Sequence, residues 1–441
     1  MNGLCRSLRL VCTIRSLGKR SFLSEAYRCQ EAWAQRLNTP ILKKINIDEM
    51  YRELDQTLES KGKASAIDID LFSNSVADES YADELEDIIH RFRLTPSTTD
   101  LLPSTPHAVI RSFIDMGNFE ALMRILNDRL NYGIFPDYYC SNLLLDTLLK
   151  MGQFRDAARI ATFQMLQEDW NHPITSCFGL YACHMYLKNK ENELWEPEIK
   201  DEPEEEVKVR VKYIRNPYFD DHFDLRDTNH LIGKTFVILS RALPENDPIR
   251  LTYELVGWSL YEKWDKAKAF LEKFKSSKEE YILYEGITLI EKAFSEGERT
   301  QSKEQVQEFL SSIKNLPKVQ LREEPSLLSL MEDRLKQVIS QQEKNDITQQ
   351  LEQYNIWGEE RMEMLKKQAE MYQREFKLKK IEEKKKELIE KEEMLFFFDK
   401  KDELDMVIEK NEEIKRIYEN EQKKKKKVEE ADDGYIPPDV K

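Results

Sequence analysis

A chain of 441 residues has room for two or three domains, and 34% charged against 40% apolar residues fits a helical array with a long solvated helix better than one compact globule. The formal charge of -15 argues against a general nucleic-acid coat, because phosphate contact needs basic surface, and leaves RNA contact to a restricted patch. Six cysteines without a C-x-x-C pair argue against a disulfide scaffold or a zinc site, and no stretch is long and apolar enough to span a bilayer.

The first 24 residues carry Arg6, Arg9, Arg15, Lys19 and Arg20 and no acidic residue. Leu4, Leu8, Leu10, Val11, Ile14 and Leu17 are interleaved with them, together with Ser7, Ser16 and Ser21. An arginine-rich, serine-bearing, acid-free amphipathic opening predicts a mitochondrial transit peptide over residues 1–22, and with it the mitochondrial matrix. A secretory signal needs an unbroken apolar block, which Arg15 interrupts. Arg20-Ser21-Phe22 followed by Leu23-Ser24 resembles a matrix-processing site with cleavage after Phe22. The competing reading is a basic, disordered tail.

Residues 40–195 predict a helical-repeat region. Met116-Gly117-Asn118-Phe119 returns 35 residues later as Met151-Gly152-Gln153-Phe154, and Ile125 returns as Ile160. Each copy has an apolar, helix-like run on either side of its Gly. Self-similarity at this period is the signature of stacked helical hairpins, none of which buries its apolar face alone. The first copy, Pro103 to Asp137, closes on Tyr132-Gly133-Ile134-Phe135-Pro136-Asp137, where Gly stops a helix and Pro prevents its continuation. The second, from Tyr138 to about His172, carries Leu143, Leu144, Leu145, Leu148 and Leu149 before the turn. After the turn come Ala157, Ile160, Phe163 and Met165, with small Ala157 where two helices must approach. Decayed copies are read at Lys63 to Ser97, with Ala82, and at about Pro248 to Ser277, with Ala267. The turn glycines, small second-helix residues and Gly-Ile-x-Pro-Asp ending resemble the pentatricopeptide repeat.

Residues 196–230 open on an acidic run, Glu196 to Glu206, that contains two prolines, and are read as a linker or insert. Residues 231–340 predict further helical hairpins. From 341 to 430 a charged helix or coiled coil is expected: proline is absent between Ser326 and Val428, and Met362, Leu365, Ala369, Tyr372 and Phe376 recur at spacings of three and four. Residues 431–441, with Pro437-Pro438, are expected to be disordered alone. The fold class is therefore all-α, a pentatricopeptide-like hairpin solenoid followed by a long charged C-terminal helix.

A closer likeness runs from residue 130 to 270. Tyr132 to Asp137, Asn142-Leu143-Leu144-Leu145-Asp146, Asp156-Ala157 and Met165-Leu166-Gln167-Glu168 form an ordered set. The set resembles the mitochondrial small-subunit ribosomal protein twenty-seven family, itself of pentatricopeptide type. Arg215 to Leu225 (RNPYFDDHFDL), with Gly233-Lys234-Thr235, is similar to the insert of its invertebrate members. The resemblance implies a non-catalytic structural component of the mitochondrial small ribosomal subunit, binding rRNA and neighbouring ribosomal proteins in support of translation.

Repeat proteins of this class read single-stranded bases with two or three side chains per hairpin. The family's fifth and last repeat positions fall on His107 with Asp137 and on Asn142 with His172. An amide such as that of Asn142 both donates and accepts towards a base edge. Two sound repeats cannot specify a long sequence, so shape and phosphate contact is the preferred reading. Its candidate cations are Arg111, Arg124, Lys150, Arg155 and Arg159, joined by the basic block Lys423, Lys424, Lys425, Lys426 and Lys427. The competing readings are solvated helix faces for the cations and a helix cap or interhelix hydrogen bond for Asn142.

Gly233-Lys234-Thr235 invites a nucleotide-loop reading, but Thr228 stands where the loop needs its first Gly. Asp220, Asp221, His222 and Asp224 are explained by an acidic, aromatic loop as well as by a metal. No G-x-S-x-G or H-E-x-x-H pattern occurs. No enzyme, cofactor, metal or small-molecule substrate is expected. The alternatives are a free mitochondrial pentatricopeptide RNA-binding factor for transcript maturation or stability, and a purely protein-binding adaptor.

Overall fold

A computed structural model of the chain describes residues 21–189, 195, 219–276, 281–295, 303–314, 317, 320–398 and 401–432. The leader as far as residue 20, most of the insert (196–218) and the tail from 433 lie outside the described residues. Two compact units, Met1–Arg361 and Met362–Lys441, divide the chain.

In the first unit a short helix α1 (Gln30–Gln35) stands among single 3-10 turns and leads into α2 (Ile47–Lys61). Hairpins follow: α3 (Ala66–Ser75) with α4 (Ala82–Arg93), then α5 (Ser104–Met116) with α6 (Phe119–Asn127) and the one-turn α7 (Arg129–Tyr132). Next come α8 (Tyr138–Met151) with α9 (Phe154–Gln167), α10 (Pro173–Lys188) with α11 (Thr228–Leu239) across the insert, and α12 (Pro248–Leu260) with α13 (Trp264–Ser276). Then come α14 (Tyr284–Ser295) and α15 (Lys303–Lys314). The fold is all-α, as the sequence predicts, apart from one parallel pair of two-residue strands among the described residues, β1 (Ile282–Leu283) and β2 (Leu321–Arg322).

The recurring Met-Gly-Asn/Gln-Phe tetrapeptide has a mechanical meaning. Met ends one helix, and Gly117 and Gly152 take left-handed φ values of +74° and +81° that side chains with a Cβ resist. The next amide reaches back five residues, Asn118 N–H to Phe113 O and Gln153 N–H to Leu148 O, closing the helix end. Asn118 Oδ1 then accepts from Ala121 N–H and starts α6, while Phe begins each second helix. Ile125 and Ile160 are both fully buried in the stack.

Gly233 and Gly257 let α11 and α12 touch backbone to backbone. A Cβ built on Gly233 would lie 2.7 Å from Gly257 O and 2.6 Å from Tyr261 N. Gly233-Lys234-Thr235 thus lies inside α11, with the Thr235 hydroxyl bonded to Leu231 O, and forms a helix contact in place of a phosphate loop.

The long helix after α15 differs from expectation in where it packs and where it ends. α16 (Leu327–Leu395) is 69 residues long, and its first half buries Leu327, Met331, Leu335, Ile339, Asp346, Gln350, Trp357 and Arg361. The charged arm read from 341 onwards therefore begins as packed structure and loses its last buried side chain at Arg361, after which the second unit starts. Within that unit no described side chain is buried. The helix also does not run unbroken to 430. It stops before Phe396-Phe397-Phe398, three bulky residues that helices accommodate poorly, and α17 (Lys401–Asp432) follows.

Candidate functional site

The first helices of the hairpins share one face, and α16 lies along it in reverse order. Ser326 and Leu328 bond Glu285 of α14; Arg334 pairs with Asp247, which caps α12; Glu332 accepts from Tyr181 of α10 at 2.9 Å. Further along, Asp346 meets His172 at 3.2 Å, Tyr354 meets His107 at 3.1 Å, and Arg361 pairs with Asp70 of α3 at 2.6 Å. Apart from the neighbouring Glu332 and Arg334, whose partners come in the opposite order, numbers fall on the partners as they rise on α16. Each hairpin from α3/α4 to α12/α13 is thereby tied to the same helix, which covers roughly 50 Å between Leu327 and Arg361.

The segment around α1 fills the space left beside α16. Tyr27 is fully buried and stacks on Tyr139, whose hydroxyl donates to Tyr27 O. Five side chains then close a ring. Thr175 donates to Asn142 Oδ1 (2.8 Å), Asn142 Nδ2 donates to the Tyr27 hydroxyl (2.9 Å), and that hydroxyl donates to Asp346 (3.1 Å). His172 lies between Asp346 (3.2 Å) and Thr175 (3.0 Å). Burial, with the Asp346 carboxylate, pushes the Tyr27 phenol far above its ordinary range and keeps it a donor. Trp33 donates to Asp115 and takes the Arg36 guanidinium against its ring at 3.4 Å; burial pulls Arg36 down to about 10.

The four base-reading positions lie on this covered face. Asn142 is fully buried, its amide used by Thr175 and Tyr27. His107 sits among the rings of Trp33, Tyr139, Tyr354 and Trp357. Asp137 caps α8 by accepting from Cys140 N–H, and His172 stacks under Tyr138 with a centroid spacing of 4.5 Å. Each of the four is thus engaged by protein groups, Asn142 and His107 buried and Asp137 and His172 partly exposed.

The candidate cations divide. Arg111 is 1% exposed and donates to Arg28 O and Gln30. Arg124 is exposed but holds Glu86 in a two-bond fork beside Asp83, Asp87 and His90, lining an open, mostly acidic depression. Arg155 and Arg159 flank Asp156, and Arg159 also donates to Trp195 O. Lys150, at the end of α8, is exposed. Lys423 and Lys424 are exposed on α17; the side chains of Lys425, Lys426 and Lys427 lie outside the described residues.

One cluster has metal-ligand chemistry: ligand atoms of His107, Asp137 and Cys140 lie within 4.8 Å of one another. Burial and then Asp137 push the Cys140 thiol well above its usual range, which opposes the thiolate a metal needs. Burial works against the Asp137 carboxylate, yet His107 and the Cys140 amide hold it below the usual range. A hydrogen-bonded helix cap accounts for all three. The Asp220 loop is likewise internally bonded: Asp220 accepts from the His222 amide, and Asp221 pairs with Lys263 at 2.9 Å.

Sequence reasoning missed Tyr27, Asp346, Tyr354, Trp357 and Arg361, all of which build this face. Of these, Trp357 alone offered an apolar signal, seven residues after Gln350 and four before Arg361 on the buried stripe. Among the described residues no helix is long and apolar enough to cross a membrane. The sequence profile of the family described as Mitochondrial 28S ribosomal protein S27 matches residues 2–387 of the chain.

Proposed function

We propose, from the premise that the chain belongs to the Mitochondrial 28S ribosomal protein S27 family, that it is a non-catalytic scaffold contacting rRNA by shape and phosphate instead of reading bases. Membership makes it a protein of the small subunit of the mitochondrial ribosome, in the matrix. The finer reading assigns it rRNA and neighbouring ribosomal proteins as partners, on hairpins of pentatricopeptide descent. Support for the hairpin descent comes from the helix starts at Ser104, Tyr138 and Pro173, which keep the repeat spacing.

The observation that carries the mode of contact is the ring through Asn142, Tyr27 and Asp346, which occupies the positions a base would take. A polar atom already satisfied inside the protein gains little by exchanging partners, whereas exposed cations meet phosphate at low cost. Lys150 in the first unit and Lys423 and Lys424 in the second are the residues assigned to that contact. Phosphate contacts of this kind position a subunit without conferring sequence preference.

Sucrose-gradient sedimentation of mitochondrial lysate, followed by RNA crosslinking, tests this. The expected result is stoichiometric recovery in the small-subunit peak, with crosslinks to rRNA at Lys150 or Lys423–Lys424 and none at Asn142 or His107. Recovery near the top of the gradient with crosslinks to messenger RNA would establish the free transcript factor instead. Associations that all survive RNase would leave only the protein-binding adaptor.

A further inference from the structure

Asp146 of α8 is 5% exposed, and among the described residues no cation pairs with it. Three successive residues at the start of the described chain supply neutral donors. The Ser21 hydroxyl bonds Oδ2, while the Phe22 and Leu23 amides reach Oδ1 at 2.8 and 3.3 Å. A buried carboxylate held by neutral donors alone is costly, and a cation in the same place would satisfy it better. The peptide bond between Phe22 and Leu23 is the one at which Arg20-Ser21-Phe22 resembles a matrix-processing site.

We infer that processing builds a buried salt bridge between the new α-ammonium of Leu23 and Asp146. Water, delivered by a processing peptidase, breaks the Phe22–Leu23 amide. The Phe22 carboxylate departs with the leader, and the Leu23 nitrogen becomes an amine that takes up a proton. That nitrogen already lies on Oδ1, so the charge is created at the carboxylate without moving the chain. Cleavage one bond earlier would leave the Phe22 nitrogen on the same oxygen, at 2.8 Å. Leu23 is buried, so the cut belongs to the unfolded, newly imported chain. The product's charge then fastens the segment carrying Tyr27 and Trp33 into the face that α16 covers. Cleavage also removes the Ser21 and Phe22 donors to Asp146 and the Phe22 ring contacts with Phe178 and Tyr181, so the ion pair takes the place of both. The inference is independent of any RNA contact.

Mass spectrometry of the protein isolated from mitochondria should find Leu23 or Phe22 as its first residue; a terminus elsewhere overturns the proposal. The chain beginning at Leu23 is then compared with its Nα-acetylated form, each with and without Asp146→Asn. Acetylation should lower the folding equilibrium constant by roughly a hundredfold or more when Asp146 is present, and hardly at all with Asn there. Equal effects in both backgrounds sink the pair. If Asp146→Asn does not fold, acylation of the α-amine in the unsubstituted chain decides. Labelling much slower than in a Leu23-initiated peptide is expected, and labelling at the peptide rate refutes the bridge. Sedimentation with the small subunit is read separately, so the two proposals fail by different measurements.

Discussion

Asn142 joins two elements far apart in the chain, and its amide is replaceable by neither. Asn142→Ala leaves the Tyr27 and Thr175 hydroxyls short of a partner, at a cost of about 1–3 kcal/mol in urea unfolding. Arg361→Ala strands Asp70, a fully buried carboxylate also bonded by Ser104 and Thr105, and should cost about 3–5 kcal/mol. Glu285 gives a pH signature. His184, 3.5 Å away, and the hydrogen bond from Ser326 hold it at about 2, below the value near 4.3 expected of an unfolded chain. Its contribution is therefore complete above about pH 5 and is lost as pH falls from there towards 2. The stability advantage over Glu285→Gln should shrink across that window and stay flat above it. A constant difference would remove the charge from the explanation. At this scale the sequence was legible in chemistry only: an amide at 142 was visible, but its Tyr27 partner lies 115 residues away and no local spacing announces it.

Single elements were far easier to read. The Gly of each Met-Gly-Asn/Gln-Phe turn is demanded by backbone angle, a local property that sequence records directly. Gly152→Ala should cost about 1–2 kcal/mol in a thermal melt, because an Ala side chain there meets its own backbone and no neighbour within 4 Å. Gly233→Ala fails for a different reason, since its Cβ collides with the facing helix, and about 1–3 kcal/mol is expected from the forced separation of α11 and α12. If the two substitutions respond alike to a compensating small residue on α12, the distinction is wrong. The triplet around Gly233 also explains how a phosphate-loop fragment can occur without the function: small residues serve close helix approach equally well. The helices α12 and α13 coincide with the span read as a decayed copy, because apolar periodicity survives where turn residues have drifted.

For the chain as a whole, the all-α class followed from composition and period, whereas the burial of the first half of α16 did not. Its buried positions Asp346, Gln350 and Arg361 are polar, so a hydrophobic pattern passes over them. Hydrogen exchange offers a direct check. Amides between Leu327 and Arg361 should exchange far more slowly than those between Met362 and Leu395, where no side chain is buried. Uniform exchange along all 69 residues would contradict the division at Arg361.

The reversed pairing along α16 bears on how the chain is delivered. A polypeptide threaded amino-end first through a narrow channel releases every hairpin before the helix that caps them. His172, His107 and Asp70 gain their partners on the helix only as positions 346, 354 and 361 clear the channel in turn. Maturation must therefore be completed from the carboxyl side backwards, with the earliest hairpin to emerge the last to be sealed.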